Sequence, residues 1–238
     1  MATFVVKGRP TWLGEYDLSQ YATAAAVDYG ADPVDNTVLN DGTRSVTGGL
    51  KTFGFSMDVY NDPTLEGVSF ANVGGNVPLT FATVDGTAQE SAFLINCHKL
   101  VSNPLSGSVG DMAGMNISGG TQSNLVKGVL EFNGTDTTSG TSTGIQLGAL
   151  TAAQTIYANL HCTAASAGDT LDVIVQSDDN GSFSSPTTRI TFTQVASAVI
   201  TSEHLSLAGA ITDDYWRISY TIGGSDPSFT FAVSFGIL

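Results

Sequence analysis

Basic side chains are what this chain most lacks: 238 residues hold 8 Lys and Arg against 22 Asp and Glu, for a net charge of −14. Split at Gly134, 6 basic and 13 acidic residues precede the cut and 2 and 9 follow it, so each half carries −7 and the excess is general. Wrapping nucleic acid needs clustered Lys and Arg to neutralise phosphates, and that class of function is excluded. An acidic wall repels phosphates instead, so a duplex could pass nearby without sticking. Cysteine is scarcer still. Cys97 and Cys162 each sit in a strand-like run; they could form one bridge between the halves, but two buried free thiols are expected, since free Cys behaves as a small core residue. Long apolar runs are absent, and residues 1–7 lack a charged start followed by an apolar stretch. A chain made and kept in solution, with no membrane partner, is expected.

Helical periodicity is also missing. No window of a dozen residues keeps apolar positions at i, i+3, i+4 and i+7 without interruption by Gly, Thr or Asn. Only residues 63–70, with Pro63 at the start and Glu66 in the first turn, predict one short helix, weakened by Gly67. What is present is alternation. Strands are predicted over 3–6, 24–29, 50–60, 78–83, 91–100 and 112–117. Residues 144–147, 154–162, 170–177, 189–195, 202–207, 215–222 and 228–235 follow as evenly spaced strands, the pattern of a β-sandwich. Leu171, Val173 and Val175 alternate with polar neighbours in the main, and Trp216, Ile218 and Tyr220 with Arg217, Ser219 and Thr221, giving one face to bury. Turn-rich segments at 118–124 and 133–144 suggest a domain junction near residues 120–140. The expected organisation is an all-β domain over 1–134 with one short helix, followed by a second β-sandwich over 135–238.

Catalytic chemistry is thin. His98, His161 and His204 stand at no metal-ligand spacing from each other or from cysteine. Cys97 and His98 are adjacent, and on a strand adjacent side chains point to opposite faces, which keeps a thiol from its base. No G-x-S-x-G elbow, phosphate-binding loop or dinucleotide fingerprint occurs, and the paired glycines read as turns. The run Asp178-Asp179-Asn180-Gly181 raises calcium by its carboxylates, but it is also an ordinary turn sequence. The Asn-x-Ser/Thr sequons at Asn116, Asn133 and Asn180 read as chance matches in a Ser/Thr-rich chain. A non-enzymatic chain is expected, with no catalytic residue, cofactor or metal.

Residues 16–62 are the most informative. Two strand-like segments are joined by a polar loop over 30–49, too long for a simple turn. Tyr16-Asp17-Leu18-Ser19, Ala31-Asp32-Pro33-Val34-Asp35-Asn36-Thr37, Thr43-Arg44-Ser45, Gly48-Gly49-Leu50-Lys51, Gly54-Phe55, Val59-Tyr60 and Asp62-Pro63 follow in order. Together they resemble the opening of tail tube (major tail) proteins of long-tailed bacteriophages. The likeness runs more loosely through residues 77–81, 93–101 and 109–119, and the second half resembles β-sandwich extensions of phage virion proteins.

The resemblance implies a β-sandwich or half-barrel that packs into hexameric or pseudo-hexameric rings. The rings stack into a tube whose lumen carries passing double-stranded DNA without specific binding. It implies partners in the tape measure protein and the tail terminator and tip proteins, and a place in the virion tail. The loop over 30–49 would reach an adjacent copy. Asp32, Asp35 and Asp41 would meet Arg44, Lys51 or main-chain N–H groups there, with Val34, Val38 and Leu39 as apolar anchors. Alternatives are a capsid decoration protein, or a carbohydrate-binding or adhesion module stacking sugars on Tyr157, Trp216 and Tyr220, although these aromatics lie in strand patterns that favour a core role.

Overall fold

A computed structural model describes residues 9–39, 42–71, 73–83, 86, 88–196 and 198–238. The expected strand over 3–6 and the residue Asp41 lie outside them, as does the side chain of His98. The described chain is all-β apart from one helix. In order, its elements are β1 (Thr11–Leu13), β2 (Tyr16–Asp17), β3 (Ala22–Asp35), β4 (Val46–Tyr60), α1 (Pro63–Ala71), β5 (Asn76–Ala82), β6 (Glu90–Ser106), β7 (Gly114–Thr121) and β8 (Val126–Asp136). There follow β9 (Gly140–Thr141), β10 (Ile145–Gln146), β11 (Thr155–Ala165), β12 (Thr170–Asp178), β13 (Thr187–Thr191), β14 (Val195–Ala196), β15 (Thr201–Ala208), β16 (Tyr215–Gly223) and β17 (Phe229–Ile237).

Two compact units share the chain without following each other along it. One comprises residues 1–20, 77–96 and 126–238, the other residues 21–76 and 97–125. The cut expected near residue 134 falls inside β8, which turn-like Gly128, Asn133 and Gly134 hide in the sequence. Gly128 is there for a different reason. A Cβ at this position would sit 2.1 Å from the Phe235 carbonyl oxygen, so its missing side chain lets the β17 backbone come close.

In the larger unit a sheet runs β15-β11-β17-β8-β6-β5-β1-β2, with only the start of β6 belonging here. A second sheet, β10-β16-β12-β13 with β9 and β14 at its margins, packs on one face of it. Between them lie Ile156, Leu160, Phe229, Phe231 and Phe235 from the first sheet and Val173, Val175, Trp216 and Ile218 from the second. This is the sandwich expected from the spacing of the later strands. Its first sheet, however, continues through β8 into strands of the first half.

The first sheet also curls so that β5 crosses above β11, which buries the second face of β11 and β17. The side chains enclosed there are polar. Asn159 Nδ2 donates to the Leu79 carbonyl at 3.0 Å and to Thr80 Oγ1 at 3.1 Å. Thr80 Oγ1 lies 2.8 Å from His161 Nε2 and 3.0 Å from Ser234 Oγ. Trp12 stacks on the His161 ring at 6.1 Å between centroids. Buried polar groups persist only when paired, and these are. Cys97 and Cys162 are both buried and form no disulfide, as expected.

In the smaller unit the sheet order is β3-β4-β7 and then the later part of β6. Phe55, Met57 and Val59 of β4 and Met115 and Ile117 of β7 alternate inward and are buried. The predicted helix is α1. Asp62 caps it, its carboxylate accepting from the Leu65 N–H at 3.3 Å, while Pro63 opens the first turn with the φ a helix needs.

Candidate assembly ribbon

The segment read from sequence as a polar loop over 30–49 is largely strand. β3 continues to Asp35 and β4 begins at Val46, paired from Ala22↔Val59 out to Asp35↔Val46. Only about ten residues are left to turn, and 14 and 15 residues of strand on either side give a hairpin roughly 50 Å long at about 3.4 Å per residue. The polar composition misled because both faces of the outer hairpin are exposed, so neither needs to be apolar.

Its inner part belongs to a sheet. β7 pairs with β4 from Tyr60 down to Gly54, and Thr121 closes the ladder, its hydroxyl accepting from the Phe53 N–H at 2.6 Å. Beyond Phe53 the ribbon has two strands alone, for roughly 25 Å. Among the described residues, β3 pairs only with β4, so one edge is open along its whole length. Pro33 suits such an edge because it has no N–H to leave unpaired. The register shifts between Ala31 and Pro33, where Gly49 is obligatory: a Cβ there would lie 2.7 Å from the Asp32 carbonyl oxygen and 2.8 Å from Val34 Cγ2. A depression of about 480 Å³ lies at the root, lined by Asp28, Tyr29, Gly30, Thr52, Phe53 and Gly54.

The tip is ordered by its own polar groups. Thr37 donates to Asp35 Oδ1 from its hydroxyl at 2.6 Å and its N–H at 3.0 Å, and the Ser45 N–H donates to Thr37 Oγ1 at 2.9 Å. Asn36 Nδ2 donates to Thr47 Oγ1 at 2.9 Å. Arg44 Nε meets Asp35 Oδ2 at 3.0 Å. These bonds, the Thr37 hydroxyl first and the Arg44 guanidinium least, hold the Asp35 carboxyl below the usual carboxylate range. The ion pair is solvent-exposed and stabilises little on its own.

Those of the residues expected to act together that are described are therefore on one hairpin. Val34, Val38 and Leu39 are exposed at or near the tip, and the strands add Val46 and Leu50; Leu39 has no burial at all and Leu50 is 83% exposed. Asp32 is exposed on β3. Arg44 is taken up by Asp35 of its own chain, and Lys51 Nζ lies 6.0 Å over the Tyr29 ring.

Other candidates from the sequence are absorbed into the fold. Trp216 is fully buried and donates from Nε1 to the Gly148 carbonyl at 2.9 Å, and Tyr220 is buried with its hydroxyl on Asp136. Tyr157 is half-buried and stacked on His204. These three aromatics offer no exposed platform for a sugar ring. Asp178 accepts from the Asn180 and Ser185 N–H groups, which makes its run the turn that the sequence allowed.

No known family pattern and no curated protein matches the sequence. Among solved structures, a chain in the virion of a native gene transfer agent particle aligns with a TM-score of 0.39 and 14% identity, over 52% of this chain and 97% of that one. The SPP1 Dit protein, described as a paradigm of the hub adsorption apparatus in phages infecting Gram-positive bacteria, aligns with a TM-score of 0.37 and 13% identity, over 98% and 100%. At these values neither likeness identifies the chain.

Proposed function

We propose that this chain is a non-enzymatic structural protein of a long-tailed phage, which polymerises as stacked rings into the hollow tail tube that conducts DNA from capsid to host. The ribbon is the observation that carries this reading. A two-stranded hairpin is at best marginal in water, and this one displays Val34, Val38, Leu39, Val46 and Leu50 to solvent. Another surface must cover them for the arm to gain from its apolar side chains.

A second copy of the chain supplies that surface in the proposed tube. Head-to-tail contacts that do not close on themselves along the axis generate a filament, and open edges such as β3 are then satisfied by neighbours. Val34, Val38 and Leu39 act as anchors, while Asp32, Asp35 and Asp41 face Arg44, Lys51 or N–H groups of the adjacent copy, the Asp35–Arg44 pair within each chain being exchanged for contacts between copies. The resemblance of residues 16–119 to tail tube proteins supports the same role, with the tape measure, terminator and tip proteins as further partners. Asp and Glu outnumber Lys and Arg on the lumen wall, so the duplex slides instead of binding.

Electron microscopy of the purified chain across a concentration series, with and without tail-tip complexes as seeds, tests the proposal. Stacked rings or tubes with a bore wide enough for duplex DNA are expected. Compact monomers under every condition overturn it, and single rings that never stack replace the tube with a ring-forming hub.

A further inference from the structure

A cavity of about 280 Å³ opens on the larger unit, below the roughly 300–1,000 Å³ of sites for drug-sized ligands. Three departures from regular structure meet in its wall. Along β8 and β17, Phe132 pairs with Val233 and Leu130 with Ser234, which leaves Glu131 as the extra residue of a β-bulge, a device that re-aims side chains. Gln89 holds φ at +67°, sparsely populated for a residue with a Cβ, and its side-chain amide donates to the Gly144 carbonyl at 2.7 Å. Ser142 is clamped to β16 by two bonds with Ile218, which aims its hydroxyl at Glu131 Oε1, 2.6 Å away.

Glu131 is 1% exposed; the nearby Gly144 N–H and Gln89 side chain favour its charged form, but its Oε2 makes no hydrogen bond of good geometry. Among the described residues, no Lys, Arg or His lines the cavity. The ion pairs among the described residues are Arg44–Asp35 and Arg189–Asp213, so neither compensates this carboxyl. A buried carboxylate lacking a counter-charge is costly, and a cation bound in the cavity would supply one. Phe132 lines the same wall, its ring stacked on Phe231 at 4.3 Å and tilted against Tyr220 at 5.2 Å, with Thr141 and Thr143 beside it. A carboxylate joined to an aromatic ring suits an organic ammonium, which gains from both. A hard divalent cation would want several charged oxygens, and the lining supplies one carboxylate.

We propose that this cavity binds an alkylammonium group, with Glu131 as its counter-ion and Phe132 as its aromatic wall. The group is either a small free amine or a Lys side chain of a second copy. Burial pushes the Glu131 carboxyl up to about 7, so the site is charged and receptive on the alkaline side of neutrality.

The test is carbon-detected NMR of the full chain at pH 8, titrated with n-butylammonium chloride at constant ionic strength, with 1-butanol as the neutral control. Saturable shifts at the Glu131 carboxyl and the Ser142 and Gly144 amides are expected with the amine alone, and Glu131→Gln is expected to weaken binding by roughly tenfold or more. Equal binding of 1-butanol, an unchanged affinity in Glu131→Gln, or no saturation at tens of millimolar amine overturns the proposal. If Glu131→Gln does not fold, Thr143→Lys places an ammonium at the mouth and is expected to displace n-butylammonium; unchanged binding there also overturns it. Sedimentation of Glu131→Gln separates the two sources: weakened self-association identifies the Lys of a second copy, and unaltered self-association identifies a small amine.

Discussion

At His161 the hydrogen-bond roles follow from its neighbours. The Gly14 carbonyl, 2.6 Å from Nδ1, can only accept, so Nδ1 carries the proton and Nε2 accepts from Thr80. A second proton would break this arrangement, and burial holds the imidazole down at about 4. As pH falls below 6.5 the unfolded chain takes up a proton that the folded chain refuses. Stability is therefore whole above 6.5 and lost towards 4, by about 3 kcal/mol at most. Glu131 works in the opposite sense. Its folded value of about 7 exceeds the unfolded 4.5, so its contribution is whole below 4.5 and lost as pH rises through 7. His204, also held down at about 4 by burial, works in the same sense as His161, so between pH 7 and 5 Glu131 offsets only one of the two histidines. The melting temperature of the unaltered chain is expected to fall modestly over that range, whereas Glu131→Gln is expected to show a steeper acid loss. Equal pH profiles for the two chains, measured by circular dichroism, would refute this opposition.

The β3–β4 hairpin separates stability from assembly at the scale of an element. Its tip makes its polar bonds locally, and Val38 and Leu39 bury little, so replacing both with Ser is expected to alter unfolding free energy by no more than about 0.5 kcal/mol. The same double substitution removes the apolar anchors of the proposed contact. Urea unfolding should coincide with that of the unaltered chain while tube formation, followed by pelleting, is abolished. A large loss of stability would instead mean that the hairpin tip folds onto its own chain.

Charge dominates at the scale of the whole molecule. With −14 per copy, bringing many copies together is opposed by like-charge repulsion that salt screens over about 10 Å at 0.1 M. Polymerisation is expected to strengthen as ionic strength rises, measured as the critical concentration for pelleting. Weakening with salt would mean that pairs such as Asp32 with Lys51 of a neighbour govern the contact.

Alternation and turn chemistry determined much in advance: an all-β chain, the helix begun by Pro63, the inward Leu171, Val173, Val175, Trp216, Ile218 and Tyr220, and the buried cysteines outside any disulfide. These depend on neighbours a few residues away, or on burial as such, and a local pattern records them. That residues 32–51 form one segment was also legible, but its form as a paired ribbon was not, since an arm wet on both faces has no periodicity to read. Only the tertiary structure decided that β8 joins the two halves in one sheet, because Gly128 looks like a turn until the β17 backbone is placed against it. It also decided that Asn159, His161 and Ser234 are interior. On β11 and β17 they resemble a solvent-facing stripe, and the curl that brings β5 over them comes from pairing between strands far apart in the chain. The bulge at Glu131 is of the same kind: an extra residue is defined only by the partner strand that leaves it unpaired.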